Sequence, residues 1–197
     1  MSLRCKWLTV LSLVLAGAVS APAAFQAEAA AEPAPPAKSV RLVVDLSDRE
    51  LHVIDGDRVE RSYPVAIGKP GHPTPTGEFR IRRIIWNPKW VPPDSEWAKG
   101  KKAREPGDPR NPMGRVKMFF KEPDYYVHGT HEEDSLGRAE SHGCIRMRNA
   151  DVIELAKLVM EHGGESREPG WFRRVLNRVT RTQEVGLSAP LSFEVRK

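Results

Sequence analysis

Short stretches in which apolar and polar residues alternate predict β-strands from about position 40 onward. Residues 40–46 are rich in β-branched side chains, and a polar turn separates them from 51–54, which predicts a hairpin. Residues 58–63 predict a third strand, and residues 78–84 alternate as a half-buried strand. We expect the first three strands to form an antiparallel meander.

The second half of the chain adds further strands and one firm helix. Strands are predicted at 116–120, at 125–128, where His128 stands at the end, and at 187–195, where Pro190 indicates an edge or a bulge. The helix is predicted over 149–160, with Asn149 as N-cap and two glycines after its end. One face of it is apolar, formed by Val152, Leu155, Ala156 and Val159. A second short helix is predicted at 171–179, and the fold class is mainly β.

Residues 86–114 show no periodicity and contain six prolines with Trp86, Trp90 and Trp97. A loop of this length within a compact domain is usually a binding loop or a lid, or else disordered. The tryptophans argue against disorder. We therefore predict a lid over a cleft, with Trp86 and Trp90 closing it.

The N-terminal region has the pattern of an export signal. Arg4 and Lys6 precede an uncharged apolar run at 8–19, and small residues follow. We predict a cleaved signal at 1–30, a spacer rich in alanine and proline at 31–38, and a folded domain at 39–197. The mature protein is then expected in the periplasm or cell envelope without a membrane span. The alternative is a retained N-terminal anchor.

Charge and composition restrict the partners only weakly. The 197 residues carry a formal net charge of +5 and are 40% hydrophobic, as in a globular protein that buries a core. A basic protein favours acidic partners such as a carboxylate-rich wall polymer or an anionic membrane surface. Nucleic acid is not expected, because no basic run is interleaved with aromatic residues.

A single cysteine stands outside the N-terminal signal. Cys144 lies in a polar setting next to glycine, whereas Cys5 falls within residues 1–30. Exported proteins seldom keep a spare thiol, because oxidising compartments convert thiols to disulfides. A nucleophile is therefore the first hypothesis for Cys144, with a buried structural cysteine as its alternative.

Several neighbouring groups would suit nucleophilic chemistry at Cys144. His128, at a strand end, is the better candidate for the base, because its side chain is not part of the turn that carries the cysteine. The N–H groups of His142, Gly143 and Cys144 could converge on a developing oxyanion. Arg146 could hold a substrate carboxylate through a bidentate contact.

A zinc site is the competing interpretation of the same residues. His128, His131, His142 and Cys144 could supply four ligands, although the His-x-Cys spacing is not that of the usual structural sites. The other histidines are scattered and are expected to be surface residues or satisfied by neighbours; they are His52, His72 and His162.

Two motifs resemble the signature of the L,D-transpeptidase (YkuD-type) catalytic domain. They are His-Gly-Thr at 128–130 and Ser-His-Gly-Cys-Ile-Arg-Met at 141–147. Upstream segments are also similar to the family pattern: Val-Ala-Ile-Gly at 65–68, Thr-Pro-Thr-Gly-Glu-Phe at 74–79, Asn-Pro-Lys-Trp at 87–90 and Asn-Pro-Met-Gly at 111–114. The resemblance covers about residues 40–160 and implies a flattened β-sandwich or barrel-like fold.

The resemblance also implies an activity. Cys144 would attack the L,D-amide of a peptidoglycan tetrapeptide stem, release D-alanine and pass the acyl group to an amine. His128 would be the base, oriented by a backbone carbonyl near Gly129, and His142 and Gly143 would help to form the oxyanion hole. The residues implied to support substrate are Ser141, Arg146, Gly129, Thr130 and Trp90. No metal or organic cofactor is implied, and carbapenem-type β-lactams would acylate Cys144.

Several functions remain open at this point. An L,D-carboxypeptidase would use water in place of the amine with the same residues, and the acceptor amine could belong to a second stem peptide or to a lipoprotein. A non-catalytic wall-binding module and a zinc-binding structural domain are the alternatives from other classes. The role of residues 164–186 also stays open.

Overall fold

The computed structural model describes residues 40–197, so the signal and spacer predictions lie outside the described residues. The strands are β1 Val40–Asp45, β2 Glu50–Asp55, β3 Arg58–Pro64, β4 Ile67–Gly68, β5 Gly77–Trp86, β6 Val116–Lys121, β7 Tyr125–Thr130, β8 Ala139–Ser141, β9 Ile145–Arg148 and β10 Gln183–Arg196. The helices are α1 Asn149–His162 and α2 Pro169–Asn177. Within the described residues, no helix is long and apolar enough to cross a membrane.

Eight of the strands form one mixed sheet that is nearly barrel-shaped, in the order β3-β2-β1-β10-β5-β6-β7-β9. The pairs β1–β10 and β7–β9 are parallel and the remaining neighbours are antiparallel, while β4 and β8 form a separate parallel pair. The mainly β prediction is confirmed, as is the meander of β1 to β3.

Helix α1 closes one side of the core that this sheet forms. The four side chains predicted to share its apolar face are fully buried, and α1 packs against β6, β7, β9 and β10. They belong to the same hydrophobic core as Leu42, Ile84, Met118 and Phe193. The helix runs two residues past its predicted end, to His162.

The predicted N-cap role of Asn149 is wrong. Arg148 occupies the cap position without a side-chain cap hydrogen bond, and Asn149 is the first residue of α1. The Asn149 side chain instead accepts from the Arg115 N–H at 2.9 Å and donates to the Thr130 carbonyl at 2.9 Å. Asn149 therefore ties the helix start to the end of β7, the strand that carries His128.

Residues 164–186 pack against the start of the lid loop. Trp86 is fully buried, and its ring lies 6.0 Å from that of Trp171 and 5.7 Å from that of Phe172, both on α2. The prediction that Trp86 closes a cleft is therefore wrong, since the side chain belongs to the core. Helix α2 supplies the aromatic partners that bury it.

Asn87 connects α2 to the sheet and is expected to contribute strongly to stability. Its side-chain amide donates to the carbonyls of Val175, Arg178 and Arg181 at 2.9, 3.2 and 3.2 Å, and its oxygen accepts from Arg115 Nε at 3.0 Å. Asn87→Ala is expected to lower the free energy of unfolding by about 2–4 kcal/mol, because buried groups lose their partners. Urea denaturation measures this.

The matched control is Asn177→Ala, which removes an exposed side-chain amide from α2, the helix that Asn87 contacts. Its unfolding midpoint is expected to stay close to that of the wild type. Equal midpoints for the two variants would contradict the role assigned to Asn87.

Candidate active site

The register of three neighbouring strands brings the predicted site residues to one face of the sheet. His128 on β7 is paired with Lys117 on β6 and with Arg146 on β9. Directly paired residues point to the same side of a sheet, and residues two apart on one strand do so too. Cys144 directly precedes β9, two residues before Arg146, and Tyr126 lies two before His128. The register therefore brings the thiol and the imidazole to the same face of the sheet, where Tyr126 hydrogen-bonds to Cys144 and its ring lies 5.6 Å from the His128 ring.

His128 is held as a neutral imidazole with a defined tautomer. It is buried, and its Nδ1 lies 2.7 Å from the Gly129 carbonyl oxygen. A carbonyl only accepts, so Nδ1 carries the proton and Nε2 is left as the basic nitrogen. Burial lowers the pKa of His128 to about 3, helped by the charges of Arg146 and Lys117. At neutral pH the ring is therefore able to accept a proton.

At neutral pH the Cys144 side chain is a protonated thiol. It is half-buried, and its sulfur donates to the Asp124 carbonyl at 3.3 Å. Burial raises the pKa of Cys144 to about 11, while hydrogen bonding to Tyr126 and the charges of Lys117 and Arg146 act in the opposite direction. The nucleophile must consequently lose its proton during attack, to a neighbouring base.

Ser141 and Gly143 shape the turn that presents the thiol. The Ser141 hydroxyl donates to the Cys144 carbonyl and accepts from the Gly143 N–H at 3.1 Å. Gly143 has φ +106°, and a Cβ there would lie 2.8 Å from the Tyr125 ring, so only glycine fits. Because the Gly143 N–H is already engaged, oxyanion donation would fall to the N–H groups of His142 and Cys144.

His142 lines the site together with residues that the sequence did not single out. Its ring stacks on Trp97 with centroids 4.1 Å apart and meets His72 edge-on at 4.8 Å. Burial lowers the pKa of His142 to about 4, with the charge of Lys69 adding to the effect. The lid therefore contacts the site through Trp97. The tryptophans of the loop indicated an aromatic contact, but the sequence motifs favoured Trp90 over Trp97.

Three residues implied to bind substrate are buried and have partners within the fold. The Thr130 hydroxyl accepts from the Glu132 N–H at 3.0 Å. Gly129 packs against the Asn149 side-chain oxygen, which leaves no room for a Cβ. Trp90 exchanges backbone hydrogen bonds with Arg104. Their role toward substrate stays a prediction.

The cations around the thiol differ in their partners. Arg146 Nη1 lies 2.8 Å from a carboxylate oxygen of Glu132, so a substrate carboxylate would have to share or replace that partner. The sequence motifs do not include Lys117, because a single lysine in a predicted strand belongs to no motif. Its half-buried side chain lies over the rings of Phe119 and Tyr126.

The zinc interpretation requires several ligands to converge. Within residues 40–197, no group of three or more His, Cys, Asp or Glu side chains is arranged to hold a metal ion. His142 stacks between Trp97 and His72, and His131 is exposed. Two of the four candidate ligands, His131 and His142, therefore have surroundings that differ from those of His128 and Cys144.

The lowered pKa of His128 predicts a pH-dependent stability. Between about pH 6.5 and 3 the unfolded chain binds a proton at this residue that the folded protein does not, so the free energy of unfolding falls as the pH falls. His142 acts in the same direction. Urea midpoints measured from pH 7 to pH 4 are expected to fall more steeply for the wild type than for His128→Gln. Parallel curves would contradict a buried neutral His128.

Comparison with known proteins finds a matching family and several relatives. A family model described as the L,D-transpeptidase catalytic domain (YkuD) matches residues 39–176. YkuD of Bacillus licheniformis, named as an L,D-transpeptidase, is 37% identical over 119 residues, which cover 60% of this chain and 59% of that protein. YqjB of Bacillus subtilis, also named as an L,D-transpeptidase, is 37% identical over 123 residues, covering 60% and 65%. The chain therefore spans less than two thirds of the length of these curated relatives.

A solved structure has a similar fold. The NMR structure of the catalytic domain of an L,D-transpeptidase from E. faecium superposes with a TM-score of 0.52 at 15% identity, covering 81% of this chain and 98% of that chain. At this identity the likeness concerns the fold alone.

Proposed function

Because this chain belongs to the L,D-transpeptidase catalytic domain (YkuD) family, we propose that it is a cysteine acyltransferase acting on peptidoglycan stem peptides. The observation that carries the proposal is that the register of β7 and β9 brings a free thiol, Cys144, and a neutral imidazole, His128, to one face of the sheet, with Cys144 directly before β9. The Gly129 carbonyl orients the imidazole, so that Nε2 is the available base.

The first half-reaction forms an acyl-enzyme. The Cys144 sulfur attacks the carbonyl carbon of the L,D-amide before the terminal D-alanine, and its proton passes to His128 Nε2. Negative charge develops on the carbonyl oxygen, and the N–H groups of His142 and Cys144 would stabilise it. When the carbon–nitrogen bond breaks, His128 returns the proton to the leaving amine of D-alanine. A thioester on Cys144 remains.

The second half-reaction reverses these roles. An amine acceptor attacks the thioester, His128 takes the proton from the attacking nitrogen, and the thiolate leaves to be reprotonated. A new amide has formed and the thiol is regenerated. Water in place of the amine would give a carboxylic acid, which is the L,D-carboxypeptidase outcome.

The surrounding side chains support this reaction in different ways. Ser141 positions the Cys144 turn through its two hydrogen bonds. Arg146 presents a guanidinium to the same face, and a stem-peptide carboxylate would compete with Glu132 for it. The stacked rings of Trp97 and His142 form one wall, against which the lid would hold the donor peptide.

The cellular setting is also part of the proposal. An export signal at 1–30 would deliver the enzyme to the periplasm or cell envelope, where the wall polymer supplies donor and acceptor stems. The net charge of +5 would favour contact with carboxylate-rich wall material. A lipoprotein lysine is a second possible acceptor amine.

The test is an assay of products. The full chain is incubated with tetrapeptide-stem muropeptides, with and without an added stem carrying a free amine, and the products are identified by mass spectrometry. Release of D-alanine with a cross-linked product supports the transpeptidase. Release of D-alanine with free tripeptide alone would identify a carboxypeptidase. No turnover with donor and acceptor both present would contradict the proposal.

A further inference from the structure

We propose that Lys117 is a positioning residue that favours the thiolate form of Cys144 by placing an ammonium group beside its sulfur. The proposal rests on the assignment of Cys144 as the nucleophile. Lys117 lies on β6, outside both sequence motifs, at 128–130 and 141–147. It would therefore add an electrostatic contribution that neither motif provides.

The sheet register and two aromatic rings place the Lys117 side chain. Lys117 is paired with His128 across β6 and β7, so it points to the face that carries Cys144. Its Nζ lies 4.5 Å from the centroid of the Phe119 ring and 4.4 Å from that of the Tyr126 ring. Cation–π attraction to two rings holds the ammonium near the sulfur.

The other cations on this face already have carboxylate partners. Arg146 is bound to Glu132, and Arg83 donates to Glu122 and Glu184 at 2.9 and 3.0 Å. Among the residues that the structure describes, Lys117 forms no salt bridge. A half-buried ammonium without an anion loses hydration, and the thiolate of Cys144 would be its compensating partner.

The groups facing the sulfur come from every element packed around it. They are Lys117 on β6, Tyr126 on β7, Arg146 on β9 and the Asp124 carbonyl before β7; Arg83, Glu122 and Glu184 lie beside the lysine, and His128 lies beside the Tyr126 ring. His128 is neutral at pH 7 and Arg146 is already paired with Glu132. Among the charged groups, Lys117 is therefore the one whose removal should change the pKa of the thiol most.

The charges of Cys144 and Lys117 support each other. Burial raises the pKa of Cys144 and lowers the pKa of Lys117. The ammonium of Lys117 lowers the pKa of Cys144, and the thiolate of Cys144 raises the pKa of Lys117, so each charge opposes the effect of burial on the other. During attack the thiol proton moves to His128 Nε2 and later to the leaving amine. Lys117 keeps its protons throughout, so it changes the energy of the thiolate without exchanging a proton.

The experiment measures the thiol pKa without any substrate, which separates it from the test of the transferase activity. Full-length proteins carrying Cys5→Ser are alkylated with iodoacetamide between pH 6 and 12, and the modified fraction is followed by mass spectrometry. Lys117→Met is expected to raise the apparent pKa of Cys144 by about one unit, so that alkylation at pH 8 slows about tenfold. Lys117→Arg is expected to keep the wild-type profile.

Lys121→Met is the matched control, because it removes an exposed lysine from the same strand. It is expected to leave the profile unchanged. Loss of the fold would move the thiol pKa the other way, toward the ordinary value of about 8.5. An unchanged pKa in Lys117→Met, an equal shift in Lys121→Met, or failure of Lys117→Arg to retain the profile would overturn the proposal, whatever the transfer rate.

Discussion

Replacing Cys144 with alanine is expected to abolish release of D-alanine from tetrapeptide stems. Cys144 is a free thiol on the same sheet face as His128, whose Nε2 is unprotonated, and no second cysteine occurs within residues 40–197. Without the sulfur no acyl-enzyme forms, so the fall should be at least about a thousandfold. Mass spectrometry of the released products measures it.

Cys5→Ser is the matched control for Cys144→Ala. It removes the other thiol of the sequence and is expected to leave turnover unchanged. The intact mass after exposure to a carbapenem should rise by one adduct in the wild type and in Cys5→Ser, and should not change in Cys144→Ala. Turnover that survives in Cys144→Ala would exclude the cysteine mechanism.

His128→Gln is expected to slow release of D-alanine by about 10²–10⁴-fold, the range that general acid–base catalysis usually contributes. Glutamine keeps an amide near the Gly129 carbonyl but has no basic nitrogen to take the thiol proton. The loss should fall mainly on kcat. Steady-state kinetics with a tetrapeptide donor measure the effect.

His131→Gln is the control for the histidine substitution. His131 is exposed and follows β7 directly, so its loss is expected to leave kinetics within about twofold of the wild type. It was also a candidate zinc ligand, and retained activity would weigh against a zinc site there. A His128→Gln enzyme as fast as His131→Gln would show that another group takes the proton.

Much of the architecture could be predicted because it depends on local patterns. Alternation of apolar residues located the meander of β1 to β3, and the apolar spacing of residues 152–159 located the buried face of α1. Asn149 shows the limit of such reasoning. Asparagine often caps a helix, but here its side chain hydrogen-bonds to Arg115 and Thr130, which are distant in sequence.

The site was predictable to the extent that its residues lie in short motifs. His128 and Cys144 stood out because a lone thiol near a histidine is chemically distinctive at any fold position. Lys117 did not, since an isolated lysine on a strand has no meaning until the register pairs it with His128. Trp97 was one of three tryptophans in a loop without periodicity, and only folding places it on His142.

The chain order of residue types thus predicts the mainly β fold, the buried face of α1, and Cys144 with His128 as candidate nucleophile and base, because these follow from spacing along the backbone. Tertiary structure alone establishes that Trp86 belongs to the core, that Gly129 and Thr130 are buried, and that Lys117 is paired with His128 across β6 and β7. Those properties depend on which surfaces meet across the sheet. Contacts between residues far apart in the sequence determine these properties, and a local sequence pattern does not reveal such contacts.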